Sequence, residues 1–152
     1  MTLEVWTARI SSKDPDRFDI TRKSGDASGI VFAPSWAILR PALAARKQAN
    51  EEALAGLFHD ALNTEIDAWA VYVPAFLAEM RASYKVNRGT WAALLARPRV
   101  VLVCYCTDPR YCHRTVIASG ILPKLGAEYR GEFSRAGEPT TGDLFAAHPA
   151  PV

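Results

Sequence analysis

Four consecutive apolar residues, Val100-Val101-Leu102-Val103, run straight into a cysteine-rich loop and then into a helical pattern. An unbroken, largely β-branched run suits a strand covered on both faces, the position of a central strand in a parallel sheet. Parallel neighbours cannot be joined by a tight hairpin, so the chain must supply crossover segments, and helices are the usual ones. This single run therefore directs the chain toward an α/β fold.

The rest of the sequence agrees. Residues 3–10 read as a first strand, and residues 11–29 as a long polar loop with turn signals at Asp14-Pro15, Ser24-Gly25 and Ser28-Gly29 around a short strand over 18–21. Residues 29–34 read as extended. Ser35 is placed to cap a helix containing Trp36, Ile38, Leu39, Leu43 and Ala44, with Pro41 kinking it or delaying its start. Over 50–62, Leu54, Leu57, Phe58 and Leu62 form one stripe, the pattern of a surface helix covering a core. A new helix is expected from Asn63-Thr64 to Tyr84, broken or bent at Pro74, followed by a short one over 91–96. Trp36, Trp69 and Trp91 fall on apolar helical stripes and read as core. After the cysteines, a helix over 112–125 closes at Gly126 and a last strand covers 127–131. The expected architecture is one three-layer α/β domain over 1–132, a small, partly parallel sheet flanked by helices, with a Pro/Gly-rich tail over 133–152.

Composition narrows the function. With 152 residues, 49% hydrophobic and 22% charged, the chain suits one compact domain. Its 18 basic and 16 acidic side chains leave a net charge of +2, which excludes a polybasic nucleic-acid wrapper, an acidic tail and a membrane-surface binder. No apolar run approaches the roughly 20 residues that span a bilayer. The opening TLEVWTARI lacks the pattern of a secretory signal, so a cytoplasmic location is expected. All three cysteines, Cys104, Cys106 and Cys112, lie within nine residues of one another, where a disulfide framework would spread them out.

The loop Cys104-Tyr105-Cys106-Thr107-Asp108-Pro109-Arg110-Tyr111-Cys112-His113-Arg114 holds the chemistry. It should lie at the carboxyl edge of the sheet, where open α/β folds bind ligands. A helix starting near Cys112 would direct free N–H groups at a nearby anion and draw a cysteine there toward thiolate. Asp108 with Pro109 reads as a turn cap.

At these residues the chain resembles the domain-of-unknown-function family 488. The likeness rests on VLVCYC, Asp108, Cys112-His113-Arg114, Ala118 and Gly126. It is extended by Asp19-Ile20-Thr21-Arg22-Lys23-Ser24-Gly25, Phe32-Ala33-Pro34-Ser35-Trp36, Glu79-Met80-Arg81 and Tyr84, so that it covers roughly residues 3–132. The resemblance implies a single α/β domain with a site at the Cys-His-Arg loop. It implies no reaction and carries over no catalytic residue.

Three readings of the loop compete. In the leading one, Cys106 or Cys112 is a reactive thiol and His113 an acid/base. Arg22, Lys23, Arg110 and Arg114 then bind an anionic or nucleotide-like ligand, the substrate being a nucleotide, nucleoside or nucleic-acid base, with no cofactor expected and nucleic acid as a further partner. The spacing does not match the phosphate loop of protein tyrosine phosphatases. In the second, Cys104, Cys106, Cys112 and His113 hold zinc in a noncatalytic module that binds a protein or nucleic-acid partner. Against it, a C-x-C pair and adjacent Cys-His ligands are less typical than C-x2-C. In the third, the cysteines are packing residues, the simplest role for Cys104 alone. Thr21 to Gly25 offers cationic and hydroxyl donors to phosphate, although an Arg-Lys pair is more often plain surface. The sequence leaves the oligomeric state open.

Overall fold

The computed structural model describes residues 2–133. The Pro/Gly-rich tail beyond Phe133 lies outside the described residues. The strands are β1 (Glu4–Arg9), β2 (Arg17–Asp19), β3 (Arg99–Cys104) and β4 (Glu128–Glu132), and they form one sheet in the order β2-β3-β1-β4. Every pairing is parallel, so the sheet is more uniform than the partly parallel one expected. The helices are α1 (Trp36–Leu54), α2 (Phe58–Val86), α3 (Arg88–Leu95) and α4 (His113–Thr115). α4 continues without a break through a π-helical turn over Val116–Ile121 and a 3-10 turn over Leu122–Leu125, ending at Gly126. Among the described residues no helix is long and apolar enough to cross a membrane.

By their internal contacts the residues divide into two compact units, 34–81 and the remainder. The larger contains the sheet. Val100 to Val103 are fully buried, as the unbroken apolar run requires of a central strand. On one face Phe18 meets Phe32 edge-on at 5.8 Å, and Phe32 meets Trp91 at 4.7 Å. Trp91 Nε1 donates to Ser83 Oγ, which donates in turn to the Val31 carbonyl, so the polar edge of the buried indole is satisfied. On the other face Trp6 stacks on Phe133 at 4.9 Å over Ala8, Val101 and Val103.

The register of β4 carries a consequence for the site. Val5 pairs with Tyr129 but Trp6 pairs with Gly131 and Thr7 with Glu132, so β4 contains a bulge. The extra residue brings Tyr129 and Glu132, three apart and otherwise on opposite faces, to the same face as Thr7.

The smaller unit is α1 and most of α2. Several local readings, in both units, fail for identifiable reasons. Residues 29–34 were expected to be extended, yet Gly29–Phe32 forms a 3-10 turn. Asp26 Oδ1 accepts from the Ser28 and Gly29 amides and so closes the chain into a turn. The expected boundary at Asn63-Thr64 is absent and α2 begins at Phe58. The stripe over 50–62 is cut between Leu54 and Phe58 by Gly56 at φ 81°. Gly56 N–H donates to Ala53 O and Leu57 N–H to Glu52 O, the paired bonds of a Schellman stop. Pro41 and Pro74 lie inside α1 and α2 without ending either helix, each removing only one helical hydrogen bond.

Candidate functional site

The site is assembled where β2 and β3 end. Cys104 is the last residue of β3, and Cys106 follows in the loop with its sulfur 3.7 Å from that of Cys104. Cys112 caps the helical run in an extended conformation, its carbonyl accepting from the Thr115 and Val116 amides. The three sulfurs all lie within 4.8 Å of one another. Cys104 and Cys112 are buried and Cys106 is partly exposed. The hydrogen bond with Cys106, together with burial, pushes the Cys104 thiol up to about 12.

His113 is buried and has a fixed orientation. Its Nε2 lies 2.7 Å from the Ile20 carbonyl oxygen. A carbonyl only accepts, so Nε2 carries the hydrogen, and in the neutral ring the lone pair is on Nδ1. Nδ1 lies 3.8 Å from Cys104 Sγ and 3.9 Å from Cys112 Sγ.

Arg114 has no exposed side-chain surface. Nε and Nη2 donate to both Glu132 oxygens at 3.1 and 2.8 Å, while Nη1 donates to Cys106 O at 2.9 Å and Cys112 Sγ at 3.3 Å. Burial works against its charge, but the Cys112 sulfur and the Glu132 carboxylate outweigh that and hold the guanidinium cationic. Tyr129, on the same face, has its hydroxyl 2.6 Å from Thr7 Oγ1, and burial pushes that phenol up.

The loop after β2 completes the frame. Asp19 accepts from Thr21 N, Thr21 Oγ1 and Ser24 Oγ, and although burial raises its pKa, these bonds bring it below the usual value. A Cβ on Gly29 would stand 1.9 Å from Asp19 O, so the loop closes only around a glycine. Tyr105 donates to Ser24 Oγ, and Lys23 Nζ lies 5.5 Å from the centre of the Tyr105 ring.

The residues expected to bind an anion are therefore spread out. Arg114 is directed to Glu132 and the cysteines. Arg110 forms an ion pair with Asp108 at 2.7 Å, and Asp108 also accepts the Arg110 amide as the cap of the turn Pro109–Tyr111. Arg22 donates to the Ala33 and Ile30 carbonyls. Lys23 is exposed beside Tyr105. Cys104, Cys112, His113 and Arg114 are brought together, with Cys106 at their edge. Sequence reasoning missed the Ile20 carbonyl and Glu132. The first is a backbone atom, and the second reaches the site through a bulge that no composition signal marks.

The three clustered cysteines could hold a metal ion such as zinc. Zinc–sulfur bonds of about 2.3 Å and zinc–nitrogen bonds of about 2.0–2.1 Å imply sulfur–sulfur edges of ~3.8 Å and sulfur–nitrogen edges of ~3.6 Å. The 3.7 Å Cys104–Cys106 pair and the 3.8 and 3.9 Å nitrogen–sulfur separations are close to these, while the three sulfurs as a set spread to 4.8 Å, wider than such an edge. The surroundings fit too, since metal-bound histidines commonly donate their second nitrogen to a carbonyl, as Nε2 does here.

Neither a curated protein nor a solved structure matches the chain. A family model does: the one described as the active DUF488-N3 subclade matches residues 3–124. That span takes in β1 to β3, the loop after β2 and the whole Cys-His-Arg segment, and the chain belongs to the DUF488 family.

Proposed function

We propose that this chain is a zinc–thiolate protein in which Cys104, Cys106, Cys112 and His113 Nδ1 hold one metal ion that fixes the loops at the carboxyl end of the sheet. The observation that carries this reading is His113, whose Nε2–H is occupied by Ile20 O so that Nδ1 faces two of three clustered sulfurs. The same geometry weakens an acid/base role for His113. Its ring nitrogens meet the Ile20 carbonyl and the buried sulfurs of Cys104 and Cys112.

Binding would release the three thiol protons, leaving three thiolates and one divalent ion with a net charge of −1. Arg114 against Cys112 Sγ offsets that charge, and Glu132 holds Arg114 in place. Four protein ligands make a closed site, which supports a structural role for the metal. Free thiols favour a reducing compartment, which supports a cytoplasmic location.

Elemental analysis of the untagged protein should find one equivalent of zinc, lost in Cys112→Ser and reduced in His113→Ala. Cobalt substitution should give the intense visible bands of a tetrahedral thiolate site. A protein purified without chelators that contains no metal, and does not take up cobalt, would overturn the reading.

A second reading, an enzyme acting on a nucleotide-like anion through Cys106, is favoured by two observations. Cys106 alone of the three is partly exposed, and Lys23 and Tyr105 beside the cluster offer a cation and a ring face. The family description as an active subclade supports it as well. In a metal-free protein, selective alkylation of Cys106 at neutral pH would favour this reading, and equal, slow reaction of all three thiols would exclude it.

A further inference from the structure

The three sulfurs of the cluster are not equivalent. Cys104 is the last residue of β3, and its carbonyl accepts from the Ile10 amide at 2.9 Å, so the sheet fixes its backbone. Cys112 is buried, and its sulfur accepts from Arg114 Nη1 at 3.3 Å. Cys106 is the partly exposed one and stands outside any strand or helix. Arg114 Nη1 donates to its carbonyl at 2.9 Å as well, so one buried guanidinium holds the backbone of Cys106 beside the sulfur of Cys112. The two sulfurs lie within 4.8 Å. A disulfide needs them at about 2.05 Å, an approach that a side-chain rotation at a loop residue can supply.

We propose that Cys106 and Cys112 are a peroxide-sensitive pair, which oxidation joins in a reversible disulfide that dismantles the metal site. The disulfide rests on the sulfur geometry alone, and the loss of metal rests on the zinc reading above. Cys106 takes the oxidant, because it is the sulfur that solvent reaches. Its thiolate attacks one oxygen of a hydroperoxide: the S–O bond forms, the O–O bond breaks, and the departing oxygen anion takes a proton from water. The Cys112 thiolate then attacks the sulfur of the Cys106 sulfenic acid: the S–S bond forms, the S–O bond breaks, and the departing hydroxide is protonated by solvent. Two electrons pass from the sulfurs to the peroxide. Cys104 is the poorer partner despite its 3.7 Å separation from Cys106. A bond between them would close a ring over Tyr105 alone, beside a backbone that the sheet already holds, and distorted disulfides store strain. A bond to Cys112 leaves residues 107–111 to absorb the closure. Cys104 and His113 then remain as two ligands, where a structural zinc site uses four.

The protein as purified, freed of added thiols, is treated with a modest excess of hydrogen peroxide. Unreduced peptides are mapped by mass spectrometry while a colorimetric indicator follows zinc. Titratable thiols should fall from three to one, the map should join Cys106 to Cys112, and dithiothreitol should restore all three thiols. Zinc should be released as fast as the disulfide forms. In Cys112→Ser, Cys106 should stay a sulfenic acid and react with dimedone. In Cys106→Ser, with circular dichroism unchanged, thiol oxidation should slow roughly tenfold or more. Thiols that resist peroxide in a zinc-loaded protein, a bond mapped between Cys104 and Cys106, or zinc that stays bound after the disulfide forms would overturn the proposal. A Cys106–Cys112 bond in protein that contains no zinc would support the pair and remove the zinc reading instead.

Discussion

Arg114 and Glu132 show how much a single pair can determine. The two form a buried, two-pronged ion pair, and Arg114 also holds Cys106 O and Cys112 Sγ, so it connects β4, the loop after β3 and the start of the helical run. Breaking a buried pair from one side costs more than the pair itself contributes, because the remaining charge keeps no counter-ion. Glu132→Gln should therefore lower unfolding stability by about 3–5 kcal/mol in a urea titration. Replacing both partners by Met and Leu should recover part of that loss. At this scale the sequence was half legible. Cys112-His113-Arg114 declared a site by residue type and position, but the partners that define each role did not. Arg114 reads as an anion-binding group until the bulge in β4 is known to bring Glu132 to the same face, and His113 reads as an acid/base until Ile20 O is seen on its Nε2.

Among the elements, those with a steep local signal were legible. The unbroken run over 100–103 is β3, and the pattern over 112–125 is helical to Gly126, although its middle widens into a π turn that periodicity does not reveal. The turn between α1 and α2 escapes a sequence reading because the apolar stripe continues past it. Leu54, Leu57, Phe58 and Leu62 keep helical spacing across the break, and only Gly56 marks where the chain reverses. Gly56 has open space around its Cβ position, so a substitution there meets backbone strain alone. Gly56→Ala should cost about 1 kcal/mol, with the site residues unaffected. Thermal melts read at the helical signal, beside zinc content, would check it. A loss of metal along with the lost stability would contradict a stop signal confined to the turn between α1 and α2. The prolines teach the converse. Pro41 suggests a kink or a later start and Pro74 a break or bend, yet α1 and α2 run through them, because a long helix with many remaining bonds tolerates the loss of one.

For the molecule as a whole, the proposed metal site would couple metal binding to folding. The proposed ligands come from the end of β3, the loop and the first residues of the helical run. Through Ile20 O and Glu132 they also engage the loop after β2 and the sheet-edge strand β4. An ion that binds only the folded chain adds stability as its free concentration exceeds its dissociation constant, by about 1.4 kcal/mol for each tenfold. The increment must shrink as pH falls, because protons compete for the thiolates and the imidazole. Chelation should therefore lower the melting temperature of the wild type and leave Cys112→Ser unchanged. It should also act unevenly. Amide exchange should quicken over residues 20–25, 104–115 and 128–132, which the cluster ties together, and stay constant around Gly56, whose Schellman bonds lie in the separate compact unit. Uniform quickening would mean that metal acts on global stability alone. No change in exchange or melting would place the three sulfurs among the packing residues, with the His113 and Arg114 bonds serving only to satisfy buried polar groups.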